Sequence, residues 1–410
     1  MHDIRTDFCV VGGGPAGLTL ALLLLRSGAD VAVVERSESL DREYRGEILQ
    51  PGGLAVLDQL GVLDAARARG AHELSRFQLV EGGRAILDVR YERLSSPHNY
   101  LLSIPQRHLL DELLEQCRRH AGFEYIAGSR VAELLTGAGA VRGVRAQGRA
   151  GEHVVRAHCV IGADGRFSKV RRLAGIPQRR MDVFDMDVLW FKVPRDGRPL
   201  PYVQIFRGGG NPVLAYHSYP DQLQLGWTLP HGGYAQVAER GLDHVKEQLC
   251  AVVPQFADTI REHVTALNQL VLLDVFAASA QTWVRDGLVL IGDSAHTHSP
   301  LGAQGINLAI QDAAVLHPVL MESLRRGDAG AGVLGRYEQD RRPDIDMVMK
   351  IQLVQSKGML SQSRVAAVIR PKAMWLMQKT PLFDKMTARI AYGRTPVRIA
   401  SELFTSDERA

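Results

Sequence analysis

The sequence predicts an α/β fold: a parallel-sheet nucleotide-binding domain, a mostly antiparallel β-sheet domain inserted into it, and helices at the C-terminus. Three observations carry this. A glycine-punctuated strand–helix–strand pattern opens the chain, alternating apolar and polar segments fill the middle, and a short apolar strand, Leu288 to Ile291, returns beyond them.

In the opening unit, Asp7 to Val11 reads as a buried strand, Pro15 to Ser27 as a helix and Asp30 to Glu35 as a second strand. Between the first two lies Gly12-Gly13-Gly14-Pro15-Ala16-Gly17, a GxGxxG pattern. Gly12 permits a tight turn, Gly14 lets backbone approach a pyrophosphate, Ala16 sits in the first helical turn, and Gly17 lets helix and strand pack closely. The helix N-terminus then offers unpaired N–H groups to phosphate. Glu35 closes the second strand 23 positions after Gly12, where a carboxylate accepts ribose hydroxyls. This is a Rossmann-type unit.

Further on, Leu54 to Arg69 reads as helical, and Pro105 to His120 as an amphipathic helix with Leu109, Leu110, Leu113 and Leu114 on one stripe. Residues 124–161 read as an antiparallel meander broken by glycines. Alternation in Asp187 to Val193, Tyr202 to Phe206, Val213 to Ser218 and Leu223 to Leu229 predicts the inserted sheet, with a hairpin at Gly208 to Gly210 and a helix near Tyr234 to Val253. After the returning strand come a helix from Gly305 to Arg325, a glycine-rich loop from Gly327 to Gly335, and further helices. The expected organisation is therefore 1–178 nucleotide-binding, 179–280 inserted sheet, 281–335 return segment and 336–410 C-terminal helices.

Composition narrows the function. The 410 residues are 46% hydrophobic and 23% charged, as in an ordinary folded enzyme. Net charge is 49 − 45 = +4, spread along the chain without a like-charge block, which argues against nucleic acid. Cys9, Cys117, Cys159 and Cys250 lie far apart without a CxxC pair, so neither zinc nor a disulfide framework is expected, and no metal is. The apolar run Leu18 to Leu25 follows glycines and lacks a basic leader, so it reads as a core helix and not as a signal or membrane span; a cytoplasmic protein is expected.

The opening unit alone does not separate FAD from NAD, since both carry the same ADP half. Two later motifs do. Cys159 to Gly165, running on to Ser168 and Arg171, pairs a buried strand with Asp164-Gly165, and Gly287 to Asp293 sets a second carboxylate at a strand end. With Ala295, His296, Pro300, Gly302, Gln304, Gly305 and Asn307 following in order, the chain from Asp7 to Arg342 resembles the class A flavoprotein monooxygenases, the group of para-hydroxybenzoate hydroxylase and the ubiquinone hydroxylases.

The resemblance implies FAD, with Glu35 and Arg36 on the adenosine ribose and Val131 at adenine. Gln106 and Arg107 are implied at the phosphates or ribityl chain, Arg45 in the loop flanking the flavin, and Asp164 and Gly165 shared between FAD and the nicotinamide cofactor. It further implies Asp293 on ribityl, and Gly302, Gln304, Gly305, Ile306 and Asn307 at the flavin's pyrimidine edge. There a helix N-terminus stabilises negative charge on reduced flavin.

The implied activity uses NADH or NADPH to reduce FAD, then O₂, whose flavin C4a-hydroperoxide passes OH to an aromatic or polyketide-like small molecule. Pro300 would line the substrate side and offer a rigid carbonyl; Arg45 and His298 are the other catalytic candidates. Tyr202, Gln204, Tyr216 and Trp227 are substrate candidates, with His217 and His231 nearby, although alternation alone leaves open which face each takes. The C-terminal tail interleaves apolar and basic residues, from Val365 to Met377 and from Arg364 to Lys379. It is expected to pack on the FAD domain or at a dimer seam, with peripheral membrane contact as the alternative and a monomer or homodimer as the assembly. Competing activities on the same fold are a flavin reductase or dehydrogenase, a halogenase, or a non-catalytic FAD-binding protein. The halogenase Trp-x-Trp-x-Ile-Pro segment is missing; Gly226-Trp227-Thr228-Leu229-Pro230 lacks the first Trp.

Overall fold

A computed structural model describes residues 2–41, 46–149, 151–181, 186–197, 199–208, 210–360 and 364–406. Its main sheet is built on His2–Val11, which lies parallel between Gly151–Gly162 on one side and Val31–Val34 on the other. Phe123–Ile126 extends the sheet in parallel beyond Val31–Val34, and Leu288–Leu290 does so beyond Gly151–Gly162. Strands buried on both faces read as unbroken apolar runs, and Val31–Val34 and Leu288–Leu290 are buried throughout. Helix Pro15–Arg26, buried without interruption from Ala16 to Leu25, packs between the long helix Gln304–Arg326 and helix Gln106–Cys117.

All these parallel strands end at one edge. Gly12, Glu35, Ala163 and Ile291 each follow directly from a strand there, which is where ligands bind in open α/β sheets. The expected meander begins later than its predicted start. Phe123–Ile126 is a parallel strand of the main sheet, and the antiparallel run comprises Ser129–Gly137, Ala140–Gly148 and the first half of Gly151–Gly162.

The second sheet has seven strands in the order Val271–Leu273, Met186–Pro194, Gln222–Pro230, Val213–Ser218, Tyr202–Arg207, Arg76–Glu81, Arg84–Arg90. Its last two strands come from well before residue 179, so the sheet draws on two stretches of chain and not only on the expected 179–280. Arg76-Phe77-Gln78-Leu79 alternates, but the pattern breaks at Val80, where the pairing register shifts; the firmer signal is Gly82-Gly83, whose φ angles of 58° and 75° make the two-residue hairpin turn. One face of this sheet packs under helices Leu242–Val252 and Ala257–His263, with Leu189, Phe191, Leu225 and Trp227 in the shared core. The opposite face looks into the cavity described below.

Other boundaries moved at glycines. Leu54 to Arg69 is two helices, Pro51–Gln59 and Leu63–Ala68, parted at Gly61, and the helix expected at Tyr234 to Val253 is parted at Gly241. The expected loop Gly327 to Gly335 is half helical, because Ala331–Leu360 already begins within it; Arg364–Met377 and Pro381–Tyr392 follow. Among the described residues, no helix is long and apolar enough to cross a membrane.

Candidate active site

The three motifs marked in the sequence are bonded to one another. Ala163 N donates to Val11 O at 2.8 Å and Ile291 N to Gly162 O at 3.0 Å, which aligns the strand ends. Gly165 N donates to Ser294 Oγ at 2.9 Å, joining Asp164-Gly165 to the segment after Gly292. Asp164 accepts from Ser168 Oγ (2.5 Å), Ser294 Oγ (3.2 Å), Lys169 N (2.6 Å) and Val170 N (3.0 Å). Four protein donors make this carboxylate an anchor of its loop.

The glycine turn is equally tight. Gly12 has φ +113°, and a Cβ there would lie 2.3 Å from Ala163 O; a Cβ on Gly17 would lie 2.0 Å from Gly12 O. The helix opening at Pro15 has no side-chain cap on Gly14, so its first-turn N–H groups stay available to an anion. Buried Glu35 accepts Gly13 N at 2.7 Å and Ser37 N at 2.9 Å, which fixes its carboxylate at the cavity edge.

These groups wall one end of a continuous cavity of about 1620 Å³. Of the predicted cofactor residues, Gly12, Gly14, Ala16, Glu35, Arg36, Gln106, Val131, Asp164, Gly165, Asp293, Gly302, Gly305 and Ile306 line it. Gly17 does not, consistent with its packing role. Arg107 is a correction: one residue further round the helix than Gln106, it faces outward and pairs with Asp41 at 2.6 Å and Asp111 at 3.2 Å. Gln304 and Asn307 are also off the cavity wall. Gln304 Nε2 donates to Gly302 O and Ile390 O, while Asn307 Oδ1 accepts Gly53 N, so both brace the turn whose backbone lines the cavity. Arg45 lies outside the described residues.

At the other end the sheet's pleat decides which side chains enter. Val203, Ile205, Leu214, Tyr216, Trp190 and Gln224 line the cavity. Tyr202, Gln204 and Trp227 occupy the alternate positions and point away, a consequence of the two-residue period. Tyr202 lies beside the Arg76 guanidinium, Gln204 bonds Gln78, and Trp227 is core. His217 stacks on His72 at 3.6 Å, and His231 pairs with Asp187 at 3.0 Å. Of the five substrate candidates, only Tyr216 and Pro300 reach the cavity.

Two contributions escaped the sequence reading. Glu47 is 7% exposed on the cavity wall, held by Lys192 Nζ at 2.6 Å and Ser218 Oγ at 2.7 Å. It directly follows Arg45-Gly46, and nothing in its local pattern marks it as buried. The C-terminal helices supply the rest: Met374, Met377, Phe383, Met386, Thr387 and Ile390 close the apolar end. Methionine suits such a wall because its thioether adapts to irregular partners. The outer side of these helices leaves Trp375 and Leu382 exposed.

His298 and Pro300 both line the cavity, but the acid–base expectation for His298 needs correcting. Its Nε2 meets His296 Nδ1 at 3.2 Å and its Nδ1 meets Gln352 Oε1 at 3.3 Å, so neither nitrogen is open to a ligand. Burial, with His296 alongside, pushes its imidazole down to about 3, and the ring is neutral. The Pro300 carbonyl accepts Ala303 N at 3.0 Å and keeps one lone pair.

A nucleotide cradle continuous with an apolar chamber defines a flavin-dependent oxidoreductase. The residues present fit FAD: a glycine turn that a Cβ would fill, an uncapped helix N-terminus, a buried carboxylate after the second strand, and a cavity with room for a second ring system. The chain belongs to the FAD binding domain family, whose match spans residues 5–351.

It is 57% identical over 406 residues to 6-methylpretetramide 4-monooxygenase of Streptomyces rimosus, covering 99% of this chain and 97% of that one. Among solved structures it is similar to p-nitrophenol 4-monooxygenase from Pseudomonas putida DLL-E4, with TM-score 0.80 and 22% identity over 96% of this chain and 100% of that one. Anhydrotetracycline hydroxylase from Streptomyces rimosus gives TM-score 0.76 and 24% identity over 97% of this chain and 77% of that one. The protein is an FAD-dependent monooxygenase that hydroxylates an aromatic or polyketide-like small molecule.

Proposed function

We propose that the substrate is a flat, multi-ring phenolic polyketide of the 6-methylpretetramide kind, and that NADH or NADPH and O₂ are the co-substrates. The observation that carries this is the chamber itself: Trp190, Tyr216, Phe383 and three methionines enclose one end of a cavity of about 1620 Å³. An apolar lining of aromatic and methionine side chains suits a fused-ring ligand better than a single phenol. Full-length identity of 57% to a polyketide monooxygenase supports the same reading.

In this proposal Gly12, Gly14 and Ala16 hold the pyrophosphate, Glu35 and Arg36 the adenosine ribose, Val131 the adenine and Asp293 the ribityl chain. Gln106 sits along the same groove, and the backbone of Gly302, Gly305 and Ile306 borders the pyrimidine edge. Bound FAD supplies hydride acceptance and oxygen transfer. The chain supplies enclosure and orientation: the C-terminal helices keep water from the ring, and Pro300 with Tyr216 flanks it.

Glu47 faces this chamber and accepts a hydrogen bond from a substrate phenol, which draws electron density toward the ring where oxygen enters. Glu47→Gln is expected to lower kcat/KM by roughly 10- to 100-fold, the range for losing a hydrogen bond to a charged group, with FAD content unchanged. Steady-state kinetics beside the flavin absorbance of the same preparation check this. The substrate class is tested by NADH and NADPH oxidation with 6-methylpretetramide, a tricyclic phenol and a single-ring phenol. Fused rings should accelerate oxidation and gain one oxygen by mass spectrometry; stimulation by the single ring alone would remove the polyketide reading.

A further inference from the structure

Behind the Pro300 loop a chain of buried groups runs inward from the cavity wall. His298 contacts His296, His296 Nε2 meets Asp312 Oδ2 at 2.7 Å, and Asp312 Oδ1 accepts Arg341 Nε at 2.8 Å. His296, Asp312 and Arg341 are each at most 1% exposed, and His298 is 4%. On the outer side, Gln352 Nε2 donates to the carbonyls of Ser299 at 3.1 Å and Leu301 at 2.7 Å, the two residues flanking Pro300.

Those two carbonyls fix the amide. With its nitrogen facing them, Gln352 turns Oε1 toward His298 Nδ1, and an oxygen acceptor there requires an N–H on Nδ1. At the far end, the Asp312 carboxylate requires an N–H on His296 Nε2. Between the rings, His296 Nδ1 and His298 Nε2 face each other at 3.2 Å, and one of them must also carry a proton. Two neutral imidazoles have only two N–H groups; this arrangement uses three.

We propose that the His296–His298 pair holds one proton beyond neutrality, and that this proton latches the Ser299–Leu301 loop by fixing the Gln352 amide in its clamping orientation. The inner end of the chain is rich in charge: Asp312 faces His296 and Arg341, and Asp344, 3.5 Å from Arg341, is shared with the exposed Arg394 at 3.9 Å. Trp283 and Tyr337, packed alongside, are uncharged, and Arg342 is paired with Glu338.

Loss of that proton removes one link. Either the two rings present lone pairs to each other, or His298 Nδ1 presents one to Gln352 Oε1 and the amide is no longer held against the carbonyls. His298 and Gln352 are therefore positioning residues for the cavity wall. Their effect on coupling rests on the hydroxylation reading above, whereas the proton count does not.

The test has two arms on the FAD-loaded, full-length protein. Long-range ¹⁵N–¹H NMR at pH 7.5, with assignments from His296→Gln and His298→Gln spectra, should show three protonated nitrogens across the pair; a pattern with two overturns the proton count. In the second arm, Gln352→Met should retain FAD and release roughly tenfold more H₂O₂ per NAD(P)H oxidised, the ratio expected for two lost hydrogen bonds of ordinary strength. Wild-type release should rise toward alkaline pH while the variant's stays high and flat. Equal release in both proteins across pH overturns the latch. Failure to find any hydroxylated product with three protonated nitrogens present would instead count against the substrate reading.

Discussion

Gly12→Ala is expected to give folded but nearly colourless protein, with FAD occupancy below about a tenth of wild type. Two costs combine. At φ +113° an L-residue is strained by roughly 1–3 kcal/mol, and the new Cβ would sit 2.3 Å from Ala163 O, well inside contact distance. Ala163 cannot retreat freely, because its N–H bonds Val11 O and its neighbour Asp164 is held by four donors.

The displaced turn is the one that lines the nucleotide end of the cavity, so the loss falls first on cofactor affinity. Each 1.4 kcal/mol is a factor of about ten in binding. Gly175→Ala is the control, since its φ is +63° with open space around it and it lies outside the cavity wall. The flavin-to-protein absorbance ratio, measured beside far-ultraviolet circular dichroism, reads both. Normal FAD content in Gly12→Ala would remove this turn from the cofactor site.

The strand-end residues were legible in the sequence because each depends on a local pattern: a glycine turn, a carboxylate after a buried strand, an Asp-Gly step. What the sequence hides is whatever depends on tertiary register. Tyr202, Gln204 and Trp227 look as suited to a ligand as Tyr216, and only the pairing of Val213–Ser218 with Gln222–Pro230 decides that Tyr216 and Gln224 share the cavity face. Arg107 was misplaced for a similar reason: one residue is about 100° of helix, enough to turn a side chain from cavity to solvent. Glu47 and the methionines of the last two helices are placed by contacts between distant segments. Arg76–Glu81 joins Tyr202–Arg207 in parallel across more than a hundred residues, a pairing that no local signal announces.

Asp312→Ala should be strongly destabilising. The carboxylate, 0% exposed, accepts His296 Nε2 at 2.7 Å, Arg341 Nε at 2.8 Å and Gly292 N at 2.9 Å. Removing it leaves a guanidinium that is 1% exposed with Asp344, at 3.5 Å, as its remaining carboxylate, and breaking a buried pair from one side costs up to about 3–5 kcal/mol. A midpoint drop on the order of 10 °C follows for a domain of this size class.

The pH dependence gives the prediction its sign. Burial by itself would raise this carboxyl, but His296 and Arg341 outweigh it and hold the value down at about 2. The unfolded value is near 3.9, so between these limits the unfolded chain binds more protons, and the stabilisation is complete above about pH 4 and lost as pH falls through about 2. The stability gap between wild type and Asp312→Ala should therefore be large at pH 5 and narrow below pH 4, as followed by urea unfolding. A gap that is small at neutral pH, or that widens in acid, would mean that Asp312 does not serve as the anion tying the Gly292 turn to the helix carrying Arg341.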